Sequence, residues 1–442
     1  MKSHEESTAW PPPQVPAAPL RSRVDRFKNE IAAGGSSENQ TGPRDAPGGG
    51  MSGLIAGLGI LALVAWLAVS NVWMFVFLIG ILVSVFLHET GHYLTARSTG
   101  MKVTQFFIGF GPRLWSFQRG ETEYGVRLLP LGAFVRIVGM NNLDEVDPAD
   151  EARTYRQQSY PKRLLVISAG SMMHIGIAAV LFFGVFAVRG VLVDAPGAEV
   201  SVVSDNTAAA AAGVLAGDVI LSVDGVAVDA DHDLGEVVRT FQPGDTVSVV
   251  LHRDGTDQTV VATLGTNTDA SSPYEGSALL GVGSYGAQEW RSMSIASAAG
   301  RSITDLFPSA WESTKGIIQV LNPVNIIQHL TGQNEDVATQ PTTLVGVTRA
   351  SWSIGDTDGL AGIIYLLAAL NVFIGVFNMF PLLPLDGGHA AIATYERIRE
   401  GRSGRRYFVD VGKLMPLTMG VVAILLFLFM SGLYLDVTRP PL

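Results

Sequence analysis

The sequence predicts a polytopic α-helical membrane protein, with four core transmembrane helices plus an extra N-terminal one and a small β-rich module inserted between spans. Three observations predict it. The 442-residue chain is 48% hydrophobic and only 16% charged, with a mean hydropathy of +0.30, too apolar for a soluble protein of this size. Uncharged runs recur at 51–87, 164–188, 360–380 and 414–435, each long enough to cross about 30 Å of hydrocarbon. Between the second and third runs, Val, Ile and Leu alternate with polar residues and are punctuated by Gly-Asp and Asp-Gly pairs, the pattern of short strands and tight turns.

Composition also excludes. A net charge of -10 and a pI near 5.3, without a basic stripe interleaved with aromatics, argue against nucleic acid as a partner. Cysteine is absent, so there is no disulfide framework, no thiolate nucleophile and no cysteine-ligated metal. Any metal must be held by histidine and carboxylate.

Residues 1–50 are rich in Pro, Gly and Ser and have too little apolar content to bury; they are expected to form a disordered cytoplasmic tail, too long and too polar for a signal peptide. Residues 51–100 hold transmembrane helices. The uncharged stretch from Met51 to Leu87 has 37 residues, about 56 Å as one helix, so the polar pair Ser70 and Asn71 divides it into spans at 52–69 and 72–95. A single tilted or kinked helix over 51–95, with the tail outside, is the alternative. Further spans are expected at 164–188, 357–392 and 414–436, joined by cytoplasmic loops at 141–163 and 393–413.

Lys and Arg counts give the orientation. The loop at 96–163 carries ten and the short loop from Arg397 to Lys413 six, whereas the long stretch at 189–359 has seven. Basic residues concentrate on the cytoplasmic side, so the long stretch is placed outside, and six basic residues in the tail fit a cytoplasmic start. In the outside stretch, the order Ala216-Gly217-Asp218, Val219-Ile220, Val223-Asp224-Gly225 after an alanine-rich segment resembles a PDZ domain over 193–266; a generic small β module is the alternative. PDZ domains capture extended peptides by strand addition, which makes a peptide ligand a candidate partner. Residues 267–356 read as an extracytoplasmic linker with amphipathic segments.

The chemistry lies in "VSVFLHETGH", residues 83–92, where an apolar run ends in His88, Glu89 and His92. Ionisable groups are costly at membrane depth and mark function there. Positions four apart share one helix face, so both imidazoles reach one ion, and HExxH is the pattern in which two histidines ligate zinc while the glutamate takes a proton from water. A catalytic zinc needs a third protein ligand and one open position. Asp386, in "NMFPLLPLDGG" after 26 uncharged residues, is the candidate: a lone carboxylate there needs a partner, and irregular backbone at membrane depth is tolerated where it is buried in protein or lines a cavity.

HExxH on an early span, "LDG" near the end of a later one and a PDZ-like module between them resemble the site-2 protease family of intramembrane zinc metalloproteases, in particular its actinobacterial single-PDZ regulators of intramembrane proteolysis. The resemblance covers about 75–440 and includes "GFGP" at 109–112, "GETEYGVRLLPLGAFVRIVGM" at 120–140 and "LVGVTRAS" at 344–351. It implies Zn2+ held by His88, His92 and Asp386, Glu89 as general base, and Asn378 binding the substrate. It further implies a substrate that is a transmembrane protein, typically an anti-sigma factor, cut within the lipid bilayer on the cytoplasmic side of a multi-pass protein of the cell membrane. The loop at 101–140 then corresponds to a membrane re-entrant β element that holds unwound substrate, although an ordinary cytoplasmic hairpin fits the residues equally.

This sequence departs from the family pattern at two places. "AGSMMH" stands where "AGPxxN" is usual, putting Ser171 for proline and His174 for asparagine; His174 is read as a partner of the metal ligands, a substrate contact or a helix residue facing a neighbour. Ala133 replaces a glycine in "PLGA". His389 is read as a neighbour of Asp386, and His232 and His252 as exposed residues of the outside module. A catalytically silent PDZ scaffold and an ion-binding transporter are the competing classes; the full set of His88, Glu89, His92 and Asp386 argues against the first and the HExxH spacing against the second.

Overall fold

The structure is a computed structural model that describes residues 71–140, 146–229, 231–269, 272–334, 339–403 and 406–438, with seven helical residues between Gly59 and Ser70. The tail expected over 1–50 and most of the first span expected over 52–69 lie outside the described residues. Two compact units divide the chain, one formed by 183–302 and the other by the segments on either side of it.

In the larger unit, α1 (Val72–Ser98) starts where the Asn71 side chain caps the Met74 amide and ends at Thr99. An uncapped run of this length would otherwise leave its first amides unpaired. Its buried residues Phe77, Ile81, Ser84, His88, Gly91 and His92 recur at helical spacing on one stripe, while Val83 and Leu94 are exposed. The stripe is what turns both histidines inward. After it, β1 (Val103–Arg119) and β2 (Thr122–Ile137) pair antiparallel. This is not a flat hairpin: Phe106 pairs with Val135 on one side and Tyr124 on the other, so the strands curl into a small sheet with 133–137 at one edge. The fold-back is made at Gly109, with φ +86, where a Cβ would lie 2.7 Å from the Leu129 carbonyl oxygen.

Two short helical turns, Glu151–Arg153 and Tyr155–Gln157, lead to α2 (Tyr160–Val188). In the smaller unit, β3 (Val191–Val203), α3 (Ala208–Ala212), β4 (Val219–Val223), β5 (Val226–Ala227), α4 (Leu234–Arg239), β6 (Thr246–Arg253) and β7 (Thr256–Thr263) are followed by β8 (Gly265–Thr266), β9 (Ala278–Leu279) and β10 (Val282–Arg291). The main sheet runs β10-β3-β4-β6-β7, with β5 on β4. Its core joins Val200, Ile220, Val249 and Leu251 from the strands to Leu234 and Val238 of α4. The sheet thus reaches Arg291, past the boundary expected at 266. Its last strand pairs with its first, and such a distant partner leaves no local periodic signal beyond the strand itself.

The chain continues through α5 (Ile295–Thr304), α6 (Leu306–Val320) and α7 (Pro323–Thr331) to α8 (Leu344–Asn378), α9 (Asp386–Ser403) and α10 (Val411–Thr438). Within α8, Gly359 has non-helical angles, φ 63 and ψ -146. The segment from Leu360 to Asn378 is about 28 Å long and matches a hydrocarbon core of about 30 Å. The span therefore ends at Asn378, and 379–385 break the helix before Asp386 opens the next, which corrects the single element expected over 357–392. The helix α9 also occupies much of the loop expected over 393–413. Among the described residues four helices are long and apolar enough to cross a membrane: α1, α2, α8 and α10. The protein is a multi-pass membrane protein.

Candidate active site

Four elements meet at the site. Tyr93 and Ala96 of α1, Val103, Val135 and Ile137 of the β1–β2 sheet, Val166 and Ile167 of α2, and Ala390 and Ala393 of α9 share one buried cluster. Phe106 stacks on Tyr93 with ring centroids 5.1 Å apart. This packing fixes the end of α1 against the segment that carries Asp386.

His88 and His92, both buried, present their Nε2 atoms to each other at 3.2 Å. Asp386 Oδ2 lies 3.5 Å from His88 Nε2 and 3.3 Å from His92 Nε2. These are the edges of a tetrahedron, since ligands bonded at about 2.0–2.1 Å to one zinc are about 3.3–3.4 Å apart. Two further observations fit a metal there. Asp386 Oδ2 is buried with no hydrogen-bond partner, a cost that a cation would remove. And Gly170 of α2 lies flat against both imidazoles: a Cβ there would be 2.6 Å from His88 Nε2 and closer still to His92 Nε2.

His92 Nδ1 lies 2.7 Å from the Val166 carbonyl oxygen. A carbonyl only accepts, so Nδ1 carries the proton and Nε2 keeps its lone pair toward Asp386, the outer-shell arrangement usual for a ligating histidine. Glu89 Oε1 is 4.0 Å from His88 Nε2, beside the cluster and not part of it. Asp386 is the first residue of α9, reached through 379–385, where the Leu383–Pro384 bond is cis. A carboxylate in the first turn of a helix is favoured by its dipole.

Asn378 ends α8, half-buried, and its side chain makes no hydrogen bond among the described residues. His174 is buried; its Nδ1 is 2.8 Å from Asn371 Oδ1, and its ring is centred 5.0 Å from that of His88. It is thus a helix residue facing neighbours, one of them the first histidine of the pair. His389 is buried one turn beyond Asp386. His232 and His252 are exposed and bond Asp229 and Asp257. Sequence reasoning missed Gly170, Asn371 and Ser84. Gly170 stood in the quoted "AGSMMH", and Asn371 is a polar residue inside an uncharged run, a signal in its own right.

The pattern of peptidase family M50 matches residues 76–428. The chain belongs to that family. It is 33% identical over 395 residues to the zinc metalloprotease Rip1 of Mycolicibacterium smegmatis, covering 82% of this chain and 97% of that one. It is 32% identical over 399 residues to the Rip1 of Mycobacterium tuberculosis, covering 82% and 96%, and 28% identical over 393 residues to the zinc metalloprotease RasP of Shouchella clausii, covering 72% and 88%. Among solved structures, the PDZ domain of an SdrC-like protein from Listeria monocytogenes is 25% identical, covering 21% of this chain and 90% of that one, with a TM-score of 0.18; at that score the likeness decides nothing. Membership makes the protein a zinc metalloendopeptidase of the site-2 protease type, acting on membrane proteins within a lipid bilayer.

Proposed function

We propose that the protein hydrolyses a peptide bond within the transmembrane segment of a regulatory membrane protein, of the anti-sigma factor kind, using zinc held by His88, His92 and Asp386. The observation that carries this reading is the three ligand atoms gathered within 4.8 Å of one another, about 24 Å along α1 from its start. That position, past the middle of α1, supports a site toward the far side of the bilayer from the start of the helix. The Lys and Arg counts support a cytoplasmic face on that far side and an extracytoplasmic module at 183–302.

Zinc bound there supplies a Lewis acid and lowers the pKa of a water to roughly 7. Glu89, 4.0 Å from His88 Nε2, is placed to accept a proton from an attacking water and to hand it to the leaving amine. A substrate helix must first unwind, because its carbonyls are already paired. The edge segment 133–137 offers strand pairing to the unwound chain, and the curled sheet reads as the re-entrant element. Asn378, at the end of the span, donates its amide to the substrate carbonyl. In the module at 183–302, a cleft of about 240 Å³ between α4 and Leu279–Val282 supports capture of an extended peptide.

The test is cleavage of a purified transmembrane substrate in detergent, with zinc content measured on the same samples. Glu89→Gln should keep zinc and lose cleavage by at least about 100-fold; Asp386→Ala should lose zinc. Unchanged cleavage in either variant rejects the mechanism. Wild type that binds metal yet cleaves nothing favours a scaffold or a transporter.

A further inference from the structure

Away from the histidine pair, a cavity of about 420 Å³ opens where the chain enters α2. Arg156, Arg163, Arg397 and Arg406 line it, with Tyr160 and Glu400. Two of the arginines already have carboxylates. Glu151 holds Arg156 through bonds of 2.9 and 2.5 Å, and Glu396 holds Arg163 at 2.6 Å in a buried pair. Among the described residues Arg397 makes no ion pair, and Arg406 donates to the neutral Gln157 at 2.6 Å. Only Glu400 stands against these two, so the cavity keeps one positive charge in excess. Arg163 Nε, in a side chain that lines the cavity, is buried without a partner.

The cavity also abuts the first turn of α2, a helix of 29 residues; Pro161 there has no amide proton and the Arg163 amide donates to the Ser159 carbonyl oxygen, which leaves the Tyr160 and Lys162 amides and the helix dipole to favour an anion. From Leu164 onward α2 is uncharged, so its first turn is the polar end of a span, the depth at which lipid phosphates lie. An arginine fork pairs with phosphate through two parallel bonds, and basic pockets between transmembrane helices bind anionic headgroups.

We propose that this cavity binds a phosphate group, carried by an anionic lipid headgroup, between Arg397, Arg406 and the first turn of α2. Arg397 stands on α9, the helix that opens with Asp386, while α2 carries Gly170 against the two imidazoles. A headgroup bridging the two helices fastens both walls of the site, and the lipid composition of the membrane then bears on the stability of the enzyme.

The experiment uses the full chain in vesicles of phosphatidylcholine alone and of phosphatidylcholine with phosphatidylglycerol in equal parts, and in detergent with added inorganic phosphate. Lipid retained on the protein is measured by mass spectrometry, and the unfolding midpoint is measured in each condition. Wild type should retain phosphatidylglycerol about thirty-fold more strongly than the double variant Arg397→Gln, Arg406→Gln, and the gap should shrink as salt rises. The variant Arg397→Lys, Arg406→Lys, which keeps both charges, should recover most of the binding. A midpoint raised by inorganic phosphate, with no lipid preference, would make free phosphate the ligand of the same site and overturn the lipid assignment. Wild type indifferent to both, or a double variant that binds like wild type, overturns the site altogether.

Discussion

Asn371 Oδ1 lies 2.8 Å from His174 Nδ1, and this one bond fixes the tautomer of a histidine packed beside His88. The Asn371 amide nitrogen donates to the Leu367 carbonyl oxygen at 2.7 Å and to Ser84 Oγ at 3.1 Å, so its oxygen is the acceptor and His174 must donate from Nδ1. Three spans, α1, α2 and α8, are tied by these bonds at one depth. Replacing Asn371 with Leu leaves the His174 proton unpaired among helices. The expected loss is about 1–2 kcal/mol, the upper range for hydrogen bonds inside membrane bundles, read as a shift in the detergent unfolding midpoint. His174→Asn, which retains a donor, should lose less. Equal midpoints for Asn371→Leu and wild type would mean that the network carries no stability.

Gly170 is predicted to be irreplaceable for a reason specific to the metal. An alanine Cβ would fall within 2.6 Å of His88 Nε2, in the space between the imidazoles and α2, yet alanine is the better helix former by about 1 kcal/mol. Gly170→Ala should therefore fold with unchanged helix content and bind zinc at least 10–100-fold more weakly, a loss at least as large as that from changing an outer partner of a ligand. Circular dichroism and competitive zinc titration separate the two effects. Normal zinc affinity would show that the helices can move apart at no cost.

The two histidines and Glu89 were legible in the sequence because their relation is local: four residues on one helix make one face, and an apolar flank makes charge conspicuous. Asp386 was legible because it is a lone carboxylate after 26 uncharged residues, just past Pro381 and Pro384, which keep the preceding helix from continuing. Gly170 was not, since a glycine's role depends on what packs against it, here a helix some eighty residues earlier in the chain. The same holds for β10, whose partner β3 lies across the whole module, and for the curl of the β1–β2 sheet, where one residue pairs on both sides. Pairings between distant segments leave no period to read.

Asp436, near the end of α10 and fully buried, supports the N-cap of α8, Thr343, whose hydroxyl oxygen accepts from the Val345 amide at 3.2 Å. Its Oδ2 accepts from the Thr343 amide at 2.9 Å, the Gly346 amide at 3.1 Å and the Thr343 hydroxyl at 2.5 Å, while Arg349 donates to its carbonyl oxygen at 2.7 Å. The amides at the start of a helix need such an acceptor. Asp436→Ala should cost about 2 kcal/mol or more, since an acceptor at a helix start contributes up to about 2 kcal/mol and the Thr343 hydroxyl loses its partner as well. Asp436→Asn, which keeps an oxygen in place, should cost less. The check is unfolding in detergent together with proteolysis at residues 339–343, which a weakened cap should expose.

The smaller unit should weaken in acid through Asp218. Its side chain is 2% exposed, and burial alone would raise its pKa; the Arg253 guanidinium, bonded at 2.6 and 2.5 Å, and the Leu215 amide at 2.8 Å outweigh that and hold the carboxyl below its ordinary value. A depressed folded pKa means that the stabilisation is complete above the unfolded value, about 3.9, and is lost as pH falls through the lower folded value, where the carboxyl protonates. Between those two pH values the native state resists protonation that the unfolded chain accepts, so stability declines there in proportion to the protons taken up. Hydrogen exchange of the amides in β6, which carries Arg253, should accelerate across that window in the intact chain. Asp218→Asn cannot ionise and removes this part of the pH dependence, while leaving Arg253 without its carboxylate. Its β6 amides should exchange faster than wild type at neutral pH and converge with it in acid. A variant that follows the wild-type pH profile throughout would assign the acid sensitivity of this unit to some other carboxylate.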